Sequence, residues 1–123
     1  MKTQVLQTFA ALALITTSAT AQDNPMENHT ASYIAMPAAE GQTGAFAEFL
    51  AGAAPIVRET EPGTVLWFAL QADDTLAIFD IFADEEARDA HFSGAVAAAL
   101  NQNADALVDG GWDDGVVANI NNS

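Results

Sequence analysis

Three features of this 123-residue sequence predict an α+β fold. Two stretches, one from Thr43 and one from Asp84, repeat apolar residues at three- and four-residue steps, the period of an amphipathic helix. Two eight-residue runs, Thr64 to Gln71 and Thr75 to Phe82, flank Ala72-Asp73-Asp74 with the composition and spacing of a β-hairpin. Extended and helical stretches follow one another in the order β-α-β-β-α-β, and the length has room for one small domain.

Taken in order, residues 1–21 read as an export signal. Lys2 precedes an apolar run from Val5 to Ile15, and Ala19-Thr20-Ala21 makes a cleavage site before Gln22. The run is well short of the ~20 residues that span a bilayer, so no stable membrane anchor is expected. A Sec-type signal without a twin arginine implies a periplasmic or secreted protein. Residues 22–30 form a polar leader that includes His29, and one domain occupies 31–123.

Ala31 to Met36 reads as a first strand stopped by Pro37. Phe46, Phe49, Leu50, Ala53, Ile56 and Val57 stripe a first helix, in which Pro55 predicts a kink or an early end. Glu61-Pro62-Gly63 marks a turn into the hairpin. Asp84 caps a second helix through Phe92, with Glu85 and Glu86 in its first turn where the dipole favours them. Ser93-Gly94 interrupts that helix and Ala95 to Leu107 resumes it. Asp109-Gly110-Gly111 ends it, and Val116 to Ile120 is the predicted last strand. This order, with an antiparallel sheet, is the ferredoxin-like arrangement.

Composition excludes several functions. Three Lys and Arg against 17 Asp and Glu give a net charge of −14, which leaves too few cations to displace phosphate counterions, so no nucleic acid partner is expected. The absence of cysteine removes disulfides, thiolate metal sites and a cysteine nucleophile. The two histidines lack ligand spacing for a metal. Gly41-Gln42-Thr43-Gly44 lacks the lysine of a phosphate loop, and no G-x-S-x-G elbow is present. The acidity itself fits either a saline habitat or simple solubility.

Both faces of the hairpin are apolar. Leu66, Phe68 and Leu70 alternate with Val65, Trp67 and Ala69, and Leu76, Ile78 and Phe82 with Ala77, Phe79 and Ile81. Two helices cover one side of a sheet, so the other side predicts a homodimer packed sheet to sheet.

The stretch Thr60 to Leu100 resembles the antibiotic biosynthesis monooxygenase type of dimeric α/β barrel. The marks are Glu61-Pro62-Gly63, Trp67, Ile78-Phe79-Asp80-Ile81-Phe82, and above all Ala87-Arg88-Asp89-Ala90-His91-Phe92-Ser93-Gly94. The stretch Gly110-Gly111-Trp112-Asp113-Asp114-Gly115 departs from the proline-containing loop of that pattern. The resemblance implies a monooxygenase that needs no cofactor and oxidises a small aromatic quinol or phenol with O₂. Haem-degrading relatives carry a tryptophan ten residues before the histidine, where this chain has Ile81.

Read without the resemblance, each candidate residue carries a functional reading and a structural alternative. His91 is suited to proton transfer near neutral pH, or else is a satisfied helix-surface histidine. A two- or four-residue hairpin loop sets Asp80 opposite Trp67 on one face, where Asp80 orients a substrate hydroxyl or forms an ion pair with Arg58 or Arg88. Trp67, Phe68, Tyr33 and Phe79 are candidates for an aromatic pocket, with the core as the alternative. Arg88 is a candidate oxyanion ligand, or the partner of Glu85 or Asp84. The alternative function is a non-catalytic exported dimer, a binding or stress-response protein for small hydrophobic or aromatic compounds.

Overall fold

The computed structural model describes residues 30–123. The signal segment, His29 and the rest of the leader before Thr30 lie outside the described residues.

The elements are β1 (Thr30–Pro37), α1 (Thr43–Thr60), β2 (Thr64–Ala72), β3 (Thr75–Phe82), α2 (Glu85–Phe92), α3 (Ala95–Leu107) and β4 (Ile120–Asn122). The sheet order is β2-β3-β1-β4 and every pairing is antiparallel, which is the ferredoxin-like topology. Ala72 pairs with Thr75, so the hairpin turn has two residues, with Asp73 at φ 54 in the left-handed region that such turns require. That turn fixes the register and sets Trp67 opposite Asp80.

Alternation then divides the sheet into two faces. Ser32, Ile34 and Met36 of β1 and Leu76, Ile78, Asp80 and Phe82 of β3 point to the helix-covered side, and all are buried. Helix α1 adds the stripe Phe46, Leu50, Ala53 and Val57, and α3 adds Val96, Leu100, Ala104 and Leu107. On the uncovered side stand Tyr33, Leu66, Phe68 and Leu70, all exposed.

Two sequence expectations need correction. Helix α1 runs past Pro55 to Thr60 without an early end. Pro55 and Ala51 are both exposed, so the Ala51 carbonyl that loses its N–H partner meets water instead. The last strand is Ile120–Asn122, not 116–120. Gly111–Val116 forms a π-helical turn and Val117–Asn119 a 3₁₀ turn, which take up the residues expected to extend. β4 is held by pairing with β1 and by the Ser32 hydroxyl, which donates to Asn122 Oδ1 at 2.6 Å.

The break between α2 and α3 falls at Ser93-Gly94, as the sequence predicts, and Asp84 caps α2 by accepting from Ala87 N at 2.8 Å. Among the described residues no helix is long and apolar enough to cross a membrane.

Candidate functional site

Three titratable groups meet beneath α2. Asp80 is placed by β3, with 0% of its surface exposed, and His91 by the last turn of α2. Glu61 is placed by the turn between α1 and β2. His91 Nδ1–H donates to Glu61 Oε1 at 2.5 Å, and His91 Nε2 lies 3.1 Å from Asp80 Oδ2. The second contact is an ion pair at hydrogen-bond range, and the Asp80 oxygens have no other side-chain or backbone partner among the described residues. Glu61 Oε1 also accepts from the Thr64 hydroxyl at 2.9 Å, while its Oε2 is buried and unpartnered.

Gly63 brings the Glu61 turn onto α2. A Cβ at this position would lie 2.5 Å from the Ala87 Cβ, so only glycine allows the approach. The Gly63 carbonyl accepts from Ala83 N at 2.8 Å and ties the turn to the end of β3.

Burial alone would lower the His91 pKa. The Asp80 and Glu61 carboxylates outweigh it and hold the imidazole above its ordinary 6.5, which favours its imidazolium form. Phe82 and Phe92 pack against the ring at centroid distances of 5.3 and 5.4 Å, within range of cation–π attraction.

His91 lines a cavity of about 240 Å³ together with Trp67, Ile78, Phe92, Leu100 and Trp112. The rest of the wall is also apolar, and neither arginine of the described residues contributes to it. Trp67 Nε1 is a buried donor with no acceptor among the described residues. Among the described residues no cluster of His, Asp and Glu is arranged to hold a metal ion.

The sequence-predicted residues separate in space. His91, Asp80 and Trp67 come together on the covered face. Tyr33 and Phe79 do not join them, because they pair with each other across β1 and β3 on the opposite face. Phe68, which pairs with Phe79, lies there too. Arg88 is also displaced from the predicted site. Its guanidinium donates to the carbonyls of Ala31 at 3.3 Å and Ser123 at 3.1 Å, and it lies 3.6 Å from Glu85, so it straps α2 to the chain end and β1. Asp80 pairs with His91 rather than with either arginine. Sequence reasoning missed Glu61, which reads as a turn residue, and Trp112.

The protein NE2512 of Nitrosomonas europaea, of unknown function, is 40% identical to this chain. The match covers 77% of this chain and 86% of that one, with a TM-score of 0.69. The chain belongs to the NE2512 family. Two candidate antibiotic biosynthesis monooxygenases share its fold. One, from Bacteroides thetaiotaomicron, is 18% identical, covers 67% of this chain and 81% of its own, and has a TM-score of 0.59. The other, from Chloroflexus aurantiacus, is 16% identical, covers 77% and 90%, and also has a TM-score of 0.59. The NE2512 family therefore has the antibiotic biosynthesis monooxygenase fold that the sequence resemblance implies. No protein-family model matches the chain, and no curated protein matches it.

Proposed function

We propose that this NE2512-family protein is a monooxygenase that oxidises a small neutral quinol or phenol with O₂ and no added cofactor. The observation that carries the reading is the buried Glu61–His91–Asp80 cluster, which reaches the wall of an apolar cavity through His91. Apolar walls lower the local dielectric and strengthen the charge interactions beside them.

In this reading His91, held as an imidazolium, is not the free base. His91, the member of the cluster that lines the cavity, passes its Nε2 proton to the Asp80 carboxylate behind it and takes the substrate hydroxyl's proton in exchange, so its charge faces the phenolate that forms. The proton stays within the cluster, so the total buried charge is constant through the step. Trp67 supplies an aromatic wall and a donor for a substrate oxygen. The electron-rich ring then reduces O₂ directly. A quinol gives up four electrons, one oxygen atom enters a ring C–H position, and the other leaves as water, so the substrate is the only reductant required. The wall's lack of a guanidinium or ammonium favours uncharged substrates.

The test is oxygen uptake over a panel of quinols and naphthols, with Asp80→Asn and His91→Ala alongside. Uptake above autoxidation that falls at least ~10-fold in Asp80→Asn, about 1.4 kcal/mol of transition-state stabilisation, is the expected result. Uptake at the autoxidation rate across the panel would overturn the enzyme.

One observation favours a second reading, a binding protein for small aromatic compounds. Both His91 ring nitrogens are already engaged by carboxylates, as in a purely structural ion pair. Under that reading the panel raises the melting temperature without consuming O₂.

Two further parts belong to the proposal. A second copy covers the exposed face of Tyr33, Leu66, Phe68 and Leu70, since so large a contiguous apolar patch marks an interface. Residues 1–21 direct export to the periplasm or beyond, and a mature protein whose mass begins at Gln22 would bear this out.

A further inference from the structure

The Gly110 to Gly115 stretch, which departs from the proline loop of the resemblance, is built around one side chain. Gly110 and Gly111 take φ of 93° and 69°, and the chain then winds into the π-helical turn that carries Trp112. A Cβ at Gly115 would stand 2.5 Å from the Asp109 carbonyl oxygen and 2.6 Å from Val108 Cγ1, so the turn closes on itself only with glycine there. Its C-terminal end is tied by Val117 N, which donates to the Trp112 and Asp113 carbonyls. Trp112 is half-buried, packs against the main core and forms part of the cavity wall. π-Helical turns concentrate at functional sites because they re-aim a side chain at the cost of regular backbone bonds.

We propose that Trp112 is a specificity-determining residue that closes the cavity at two fused aromatic rings. The inference takes the aromatic nature of the ligand from the proposed function, but its size limit rests on the wall alone. An apolar cavity of roughly 150 Å³ takes a benzene, or about 25 Å³ for each of its carbons. On that scale the 240 Å³ here holds about ten heavy atoms, near the size of a naphthol. A three-ring phenol needs roughly half as much space again. Removing the Trp112 indole, itself a two-ring group, opens room for the extra ring next to the existing wall. Val116 and Val117 of the two turns also line the cavity and the remaining side chains come from the strands, α2 and α3, but Trp112 is the one large ring that the turn supplies.

The test is titration calorimetry of the whole mature protein with 2-naphthol and 2-anthrol, on the wild type, Trp112→Ala and Trp112→Phe. The wild type is expected to bind 2-naphthol at least ~10-fold more tightly than 2-anthrol, about 1.4 kcal/mol. Trp112→Ala is expected to bring the two within about threefold of each other, with Trp112→Phe between. If the alanine variant fails to fold by circular dichroism, the phenylalanine variant alone decides, since it keeps a ring against the core. Equal wild-type affinity for the two ligands, no binding of either, or a ratio unmoved by both variants would overturn the size limit. Selective 2-naphthol binding without oxygen uptake from any quinol would sink the oxygenase and leave the size limit standing.

Discussion

The two faces of the sheet are made by the same strands and differ in one respect. The covered face buries an aspartate, a serine and, through the helix above it, a histidine, whereas the open face between Tyr33 and Leu70 presents large apolar side chains to solvent. Simple partition of polar and apolar groups would give the reverse. The inversion fits the proposed roles of the two faces. Charge is tolerated inside only where it is paired, as Asp80 and Glu61 are through His91, and apolar surface is tolerated outside only where something comes to cover it.

The comparison breaks most visibly at His91. His91→Ala leaves two carboxylates in the interior with no cation between them, and a loss of about 3–5 kcal/mol in guanidinium unfolding at neutral pH is expected. A loss below about 1 kcal/mol would mean that the cluster does not hold the covered face together. The same histidine sets a pH dependence. Its folded-state pKa is raised above 6.5, so its contribution is fully present below that pH and is lost as pH rises through the folded value. The urea midpoint is expected to fall in the wild type as pH rises from 6.5 through the folded value, and His91→Ala is expected to lose that histidine-linked component.

The open face is probed by Phe68→Ser. Phe68 is 49% exposed in the single chain, so the fold should survive, while self-association should weaken by roughly 1.5–3 kcal/mol per copy. Light scattering against concentration reads this directly, and a monomer already present in the wild type would remove the account of the open face.

A third probe sharpens how the covered face is assembled. Gly63→Ala forces a methyl against Ala87 and should cost about 1–3 kcal/mol in thermal unfolding. Because the displaced turn carries Glu61, the pH dependence of stability should flatten with it, which a packing effect alone would not do. The smallest effect belongs to Arg88, a charge outside the cavity wall. Arg88→Gln should lose about 1 kcal/mol from its carbonyl contacts and leave 2-naphthol affinity within twofold.

Most of this was legible in the sequence where period and turn chemistry decide. The Asp80–Trp67 pairing followed from a hairpin whose loop is two residues, and Asp84 and Ser93-Gly94 bounded α2 by side-chain chemistry alone. Alternation also carried a warning about Tyr33 and Phe79. Phe79 is one residue from Asp80 and so had to face the other way, which excludes it from a pocket shared with Trp67. Glu61 was not legible, because its role arises from a contact with a histidine 30 positions away and local sequence shows only a turn. β4 was misplaced because Val116-Val117 reads as extended, while Ile120-Asn121-Asn122 has little strand propensity and is held only by its partner β1.

One feature of β2 reaches beyond the folded molecule. It is an edge strand, nine residues long without a charge or a proline, with Val65 and Leu70 more than half exposed and its outer backbone groups open to a further strand. Natural edges are guarded locally by a lysine or a bulge that discourages growth. Among the described residues the local guard is the register shift near Thr64, and the rest of the protection is colloidal, the mutual repulsion of copies that each carry −14. Near pH 4, where that charge disappears, copies would meet without a barrier and add strand to strand, so the acidity of the whole surface serves as the solubility device for one unguarded edge.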